Sequence, residues 1–276
     1  MMSLLVRQNF CARASDKKRG FSVIHQTAII DASAKIAKDV HIGPYSVIGP
    51  DVEIGEGTWI GPHVVIQGPT TIGRDNKIFQ FASVGEMPQD MKFQGERTYL
   101  HIGDRNIIRE FCTIHRGTAQ DHSVTRIGHD NLLMAYVHIA HDCEIGNHTI
   151  FANNASLAGH VKVEDYVIFG GFSGVFQFCR VGKHSFITTN SVVIKDVLPY
   201  TKVSGYYAKP YGLNKVGLQR RGFTQTTIKQ LYQAYKIIYR QGLTITQAID
   251  ELKNLNALEI DHIIQFIQCS QAGIVR

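Results

Sequence analysis

Large aliphatic residues recur along the chain at an interval of six positions. The first run covers residues 24–84, and the same spacing returns at residues 102–114. A second run, shifted by one residue, covers residues 127–193. An α-helix has a period of about 3.6 and a strand one of about 2, so neither explains the pattern. The interval predicts short strands joined by tight corners, with one bulky side chain of each strand directed inward.

A second inward position follows each aliphatic residue by four places and is usually smaller, as at Ala28, Cys143 and Ala155. Glycine often comes directly after the aliphatic residue, and we expect it to allow the backbone angles and the close approach that a corner requires. Three strands then make a triangular coil of 18 residues. Coils stack by parallel pairing at about 4.8 Å. The repeats predict between eight and nine coils, whose aliphatic ladders replace a compact core.

Two stretches leave the repeat, at residues 86–100 and 116–126. Insertions into a solenoid are expected to be surface loops, and such loops often bind ligands. The repeat ends near residue 198, before a proline. We therefore divide the chain into an N-terminal extension at residues 1–21, a β-helix at residues 22–198 and a C-terminal helical domain at residues 199–276.

The C-terminal part changes to a helical period. Thr224 is a candidate N-cap for a helix with Ile228, Leu231 and Ile238 on its apolar face, and Gly242 lies beyond its end. Amphipathic patterns at residues 246–255 and 258–269 predict two further helices. We expect these helices to cover the open end of the solenoid. The predicted fold class is mainly β, a parallel β-helix of hexapeptide repeats with a C-terminal α-helical domain.

Composition narrows the class of protein further. The chain has 44% hydrophobic and 19% charged residues, which is typical of a globular protein. Its net charge of +6 favours acidic partners, but no cationic face interleaved with aromatic residues indicates nucleic-acid binding. Its five cysteines lack CxxC spacing, which predicts free thiols in the reducing cytoplasm. No apolar run reaches the roughly 18 residues of a membrane span.

Candidate chemistry concentrates in the segment from His138 to Cys143. Stacking at 18 residues per coil predicts that Gly159 lies on His141 and His160 on Asp142. A neutral imidazole can accept a proton, and an adjacent carboxylate can orient it. A glycine N–H can donate to a developing oxyanion. The chain has 13 histidines, however, and spacing alone leaves packing or surface roles open for each of them.

A zinc site is the alternative chemistry for these histidines. His138, His141 and His160 could act as three ligands, because β-helical carbonic anhydrases bind zinc through three histidines shared between subunits. The sequence offers no evident partner that would activate a zinc-bound water. We therefore predict that no metal is bound.

Several blocks outside the general repeat resemble the UDP-N-acetylglucosamine O-acyltransferase family, from about residue 22 to the end of the chain. They lie at residues 114–118, 130–134, 138–143, 152–154, 157–160, 177–179 and 220–223. The resemblance implies a left-handed coil, which spacing alone does not fix, and a homotrimer with clefts between subunits. It also implies the opening reaction of lipid A synthesis. A 3-hydroxyacyl chain passes from acyl carrier protein to the sugar 3-hydroxyl of UDP-N-acetylglucosamine, with no cofactor beyond the carrier's phosphopantetheine.

The resemblance also implies roles for individual residues. His141 matches the general base, Asp142 its support and Gly159 the donor to the oxyanion. The residues implied in substrate binding are Gln89, Asp90, Lys92, His138, His160, Gln177, Asn214 and Arg220. Without the resemblance, the simplest interpretation of the charges among them is a solvated surface. Thr189 matches the position that limits the acyl groove, and its intermediate size implies a chain shorter than the longest that the family accepts.

Three positions depart from the family pattern. Phe176 and Tyr207 stand where the family has histidine, and Val216 stands where it has glutamate. Because the base is kept, we retain the reaction class and leave two alternatives open, a 3-amino sugar acceptor or a paralogue with little or no activity.

Other β-helical proteins fit the sequence less well. The N-acyltransferase of the same pathway usually has an extra N-terminal domain, for which the stretch before residue 22 leaves no room. An acetyl-CoA-dependent acetyltransferase would lack a surface for the carrier protein. An ice-binding scaffold needs regular rows of threonine, which are missing.

Overall fold

Three parallel sheets form the three sides of a β-helix. The structure, a computed structural model, describes residues 24–276, so the extension predicted at residues 1–21 lies outside the described residues. Successive strands belong to successive sheets, and each strand pairs with the strand one coil away. The fold is thus the predicted mainly-β, left-handed parallel β-helix with a C-terminal helical domain.

The first sheet has nine strands. Its strands are β1 (Ile29–Ile30), β4 (Val47–Ile48), β7 (Val65–Ile66), β10 (Ser83–Glu86), β13 (Thr113–His115), β16 (His138–Ile139), β19 (Ser156–Leu157), β22 (Gly174–Val175) and β25 (Val192–Val193). Thr113 pairs with His138, and His138 pairs with Ser156. Side chains at one position of successive coils therefore lie next to each other.

The second sheet has eight strands and the third has ten. The second consists of β2 (Lys35–Ile36), β5 (Val52–Ile54), β8 (Thr70–Ile72), β11 (Tyr99–Ile102), β14 (Val124–Ile127), β17 (Glu144–Ile145), β20 (Lys162–Val163) and β23 (Arg180–Val181). The third consists of β3 (His41–Ile42), β6 (Trp59–Ile60), β9 (Lys77–Ile78), β12 (Ile107–Ile108), β15 (Leu132–Leu133), β18 (Ile150–Phe151), β21 (Ile168–Phe169), β24 (Phe186–Ile187), β26 (Thr201–Ser204) and β27 (Lys209–Leu213).

The predicted inward positions form one continuous core. Ile42, Ile60 and Ile139 have no accessible surface, and the smaller partners Val137 and Cys143 are equally buried. This ladder is the main apolar stabilisation of the coils, because burying one such side chain contributes about 1.5–3 kcal/mol.

The expected role of the repeat glycines is half correct. They permit close approach, since a Cβ at Gly43 would lie 2.7 Å from the backbone of Gly61. Apart from Gly85 (φ 78°), they do not supply the left-handed backbone angles. Those angles occur two residues later, at non-glycine residues such as Tyr45 (φ 57°) and His148 (φ 57°). Many corners of the coil therefore turn at residues that carry full side chains.

Both insertions are present and slightly shorter than predicted. The first connects β10 to β11 through residues 87–98, and the second connects β13 to β14 through residues 116–123. The predicted boundary at residue 198 falls before the end of the parallel sheet, because β26 still pairs in parallel with β24. Strand β27 then returns antiparallel to β26.

Four helices follow β27: α1 (Lys215–Arg220), α2 (Gln225–Arg240), α3 (Ile245–Leu252) and α4 (Leu258–Gln268). Thr224 caps α2 as predicted, accepting a hydrogen bond from the Thr227 N–H, and Thr244 forms a capping box on α3. The buried faces of the helices pack with Leu198 and Tyr200 of the last coil in a second apolar core. None of the described helices is long and apolar enough to cross a membrane.

Candidate active site

His141 and Asp142 lie together at the corner between β16 and β17. His141 Nδ1 is 2.9 Å from Asp142 Oδ2, and the side chains are 14% and 1% exposed. Burial opposes ionisation of Asp142, but hydrogen bonds from His141 and Thr118 outweigh it and hold the pKa of the carboxyl below its usual range. An ionised carboxylate can only accept, so His141 donates from Nδ1 and keeps a lone pair on Nε2. The pair is therefore set up for general-base chemistry, with a negative charge behind the imidazole.

The second insertion supplies further partners to Asp142. The Thr118 N–H donates to both carboxylate oxygens at 2.9 and 3.0 Å, and the Thr118 hydroxyl donates to Oδ2 at 2.7 Å. The Asp142 N–H donates to the Thr125 hydroxyl. The sequence predicted a surface loop here but gave Thr118 no role, because Thr118 lies 24 residues from Asp142 and outside the coil spacing.

Gly159 lies against the His141 ring, as the coil spacing predicted. A Cβ built on Gly159 would be 2.5 Å from Cε1 and 2.7 Å from Nε2 of His141. Within residues 24–276 the Gly159 N–H has no hydrogen-bond acceptor, whereas its carbonyl accepts from the Phe178 N–H. Gly159 thus combines an N–H without an acceptor among the described residues and close packing against the His141 ring.

His138 lies in β16, the strand that leads into this corner, and its imidazole is neutral at neutral pH. Its Nδ1 is 2.7 Å from the Thr113 hydroxyl. Burial, together with the neighbouring His115 and His141, lowers the pKa of His138 to about 4. The His115 ring meets that of His138 edge to face at 5.3 Å. Two neutral imidazoles, those of His115 and His138, therefore lie beside His141.

His160 lies one coil beyond Asp142. Its ring meets that of His141 edge to face at 5.0 Å and stacks on Phe178 at 4.4 Å. Its Nδ1 is 2.7 Å from Asp121 Oδ2, a second contact that the insertion provides and that sequence reasoning missed. The structure therefore brings together His138, His141, Asp142, Gly159 and His160.

The other predicted site residues do not join this cluster within one chain. In the first insertion, Gln89 and Lys92 are exposed, and the Asp90 carboxylate accepts the Lys92 N–H. Gln177 is exposed at the corner two coils beyond His141. Thr189 is exposed on a different corner, between β24 and β25.

Two further predicted residues lie at the first helix. Asn214 caps α1, and its amide donates to the His184 carbonyl at 2.9 Å. Arg220 is exposed in the last turn of α1. The three departures from the family pattern, Phe176, Tyr207 and Val216, are each more than half exposed.

A metal-binding geometry is partly present at the corner. One ligand atom each from His141, Asp142 and His160 falls within 4.8 Å of the others. Three hydrogen bonds already reach Asp142 Oδ2, from His141 Nδ1 and from the N–H and hydroxyl of Thr118. This group has Asp142 where the zinc alternative needed His138, and hydrogen bonds account for the contacts of its carboxylate. The prediction of no metal stays a prediction.

Coils of hexapeptide repeats with a histidine–carboxylate pair at a corner fit a β-helical transferase. In agreement, residues 21–55, 51–86 and 125–159 match the bacterial transferase hexapeptide profile. Residues 196–275 match the second domain of UDP-N-acetylglucosamine O-acyltransferase.

The acyl-[acyl-carrier-protein]–UDP-N-acetylglucosamine O-acyltransferase of Thiobacillus denitrificans is 56% identical over 92% of this chain and 100% of its own length. That of Herminiimonas arsenicoxydans is 52% identical over the same shares. The chain belongs to the UDP-N-acetylglucosamine O-acyltransferase family.

Solved structures agree with this assignment. LpxA of Acinetobacter baumannii superimposes with a TM-score of 0.90 at 52% identity, over 92% of this chain and 100% of its own. The UDP-N-acetylglucosamine acyltransferase of Arabidopsis superimposes with a TM-score of 0.81 at 37% identity, over the same shares.

Proposed function

We propose that this protein transfers a 3-hydroxyacyl chain from acyl carrier protein to the 3-hydroxyl of UDP-N-acetylglucosamine, the opening step of lipid A synthesis. The single observation that carries the proposal is the His141–Asp142 pair with Gly159 beneath it. Relatives of 50–56% identity carry the corresponding name. Beyond the carrier's phosphopantetheine, the proposed reaction uses no cofactor.

The geometry supports a mechanism in two parts. His141 Nε2 takes the proton of the acceptor hydroxyl as its oxygen attacks the thioester carbon, and Asp142 stabilises the imidazolium that forms. The Gly159 N–H donates to the oxyanion that develops on the thioester oxygen. The carbon–sulfur bond then breaks, and the proton held by His141 leaves with the thiolate of phosphopantetheine.

The acceptor is tested by offering two sugars to the purified protein. We expect acyl transfer from 3-hydroxyacyl carrier protein to UDP-N-acetylglucosamine to be faster than transfer to its 3-amino analogue. Phe176, Tyr207 and Val216 motivate the comparison, because each replaces a polar family residue. Faster N-acylation would favour the amino acceptor, and inactivity with both would favour a paralogue without activity.

The carrier protein is proposed to dock near α1. Acyl carrier proteins are acidic, and the exposed Arg220 and Lys229 suit such a partner. Arg220→Glu is expected to raise the KM for acyl carrier protein several-fold with little change in kcat, because a like charge weakens association. Lys253→Glu, which changes an exposed cation at the C-terminal end of α3, is the control. A change confined to kcat would contradict the docking assignment.

Thr189 is proposed to limit the acyl chain. We expect the wild type to prefer a donor shorter than the longest in the family, and Thr189→Gly to shift the preference towards longer chains by removing a β-branched side chain. Relative kcat/KM values across donors of increasing length measure the shift. Identical chain-length profiles for wild type and variant would show that Thr189 does not limit the acyl chain.

A homotrimer in the cytoplasm is proposed as the working form. The first insertion, with Asp90 and Lys92, does not reach His141 within one chain, which supports a site completed by a neighbouring subunit. Light scattering should give about three times the chain mass of 30.9 kDa, and a monomer mass would contradict the trimer.

A further inference from the structure

The second insertion brings a second carboxylate to the histidine corner. Asp121 Oδ2 lies 2.7 Å from His160 Nδ1, and Asp121 Oδ1 lies 3.3 Å from Nε2 of the exposed His122. Asp142 Oδ2 is 3.9 Å from His160 Nδ1, beyond hydrogen-bond distance. His160 therefore has a carboxylate partner of its own, distinct from the one that serves His141.

His160 is held on three sides and open on one. Phe178 covers one ring face with an interplanar angle of 11°, the His141 ring meets it edge to face, and Asp121 binds Nδ1. The side chain is 13% exposed. Because a carboxylate accepts the Nδ1 proton, the neutral imidazole carries its lone pair on Nε2.

The insertion that carries Asp121 is anchored to the same corner. Thr118 donates to Asp142, and the Ser123 N–H closes the loop on the Thr118 carbonyl at 3.1 Å. The buried Arg116 donates to the carbonyl oxygens of Gly68 and Gly85. One loop thus supplies the carboxylate that binds His160 and the donors that hold Asp142, the coil residue that binds His141.

We propose that Asp121 is a positioning residue for acceptor binding. By holding the proton on His160 Nδ1, it presents the His160 Nε2 lone pair to a hydroxyl group of the nucleotide sugar. The inference rests on the proposed function for the identity of that acceptor. Without the carboxylate, the imidazole is no longer restricted to one tautomer, and a proton on Nε2 would remove the acceptor of the hydrogen bond.

The test measures binding and turnover separately in Asp121→Asn. Calorimetric titration with UDP-N-acetylglucosamine, without acyl donor, should give a Kd about tenfold weaker than wild type, the size of a lost hydrogen bond between neutral groups. The kcat at saturating acceptor should stay within about threefold of wild type. His122→Gln, which removes the other neighbour of Asp121, should leave both values unchanged.

Ring nitrogen shifts in protein labelled with ¹⁵N-histidine, assigned with His160→Gln, give an independent readout. We expect a bare Nε2 on His160 in the wild type and a mixture of tautomers in Asp121→Asn. A wild-type Kd and an unchanged tautomer in Asp121→Asn would overturn the inference and leave the proposed function intact. Binding that weakens as expected in a protein without acyl transfer would support the inference and count against the proposed function.

Discussion

His141→Ala is expected to lower kcat for acyl transfer by about a hundredfold or more, the loss that follows removal of a general base. His141 Nε2 faces Gly159, and Asp142 binds the opposite nitrogen of the same ring. The variant removes the proton acceptor but leaves Asp142 bound to Thr118. Initial rates with acyl carrier protein and UDP-N-acetylglucosamine measure the effect.

A corner histidine outside the site provides the control. His129 accepts the Asp104 N–H and is 47% exposed, so His129→Ala should unfold at a similar temperature to His141→Ala and retain wild-type rates. If His141→Ala kept most of its activity while folded, the fold assignment would stand and the mechanism would be wrong.

Gly159→Ala is expected to lower kcat/KM by about a hundredfold, although it adds a single methyl group. The new Cβ would lie 2.5 Å from His141 Cε1, so the ring must move. That movement breaks the alignment set by the bond from Nδ1 to Asp142, and a misplacement of about 1 Å can cost a hundredfold in rate. The clash is with a side chain and not with backbone, so the melting temperature should change little.

Gly171→Ala is the matched control at another corner. Its added Cβ would meet only the Asn153 carbonyl at 3.3 Å, so a small adjustment suffices. Similar kinetics for Gly159→Ala and Gly171→Ala would show that the contact between Gly159 and the imidazole has no role in turnover.

The neighbours of His141 were predictable because the coil repeats. An interval of 18 residues gives the partner on the next coil directly. In the structure Gly159 packs against the His141 ring, and the His160 N–H donates to the His141 carbonyl. The same arithmetic fails across an insertion. Thr118 and Asp121 lie 24 and 39 residues from the side chains that they contact, so no count of coils could identify them.

The turn chemistry was harder to predict for another reason. Glycine is the usual residue for left-handed backbone angles, so the sequence predicted those angles at the repeat glycines. Asp142 (φ 57°) and His160 (φ 63°) adopt those angles instead. Aspartate and histidine tolerate this region better than most residues, which also puts reactive groups at the points where the chain turns.

A solenoid has consequences for how the molecule loses structure. Each coil contacts only its neighbours, so thermal fraying starts at the ends and moves inward. The catalytic corner belongs to the two coils that contain β16 and β19. Five strands of the same sheet precede β16 and two follow β19, and the helical domain covers the shorter side. We therefore expect the terminal coils to unfold first and the coils that carry the reactive residues to unfold last.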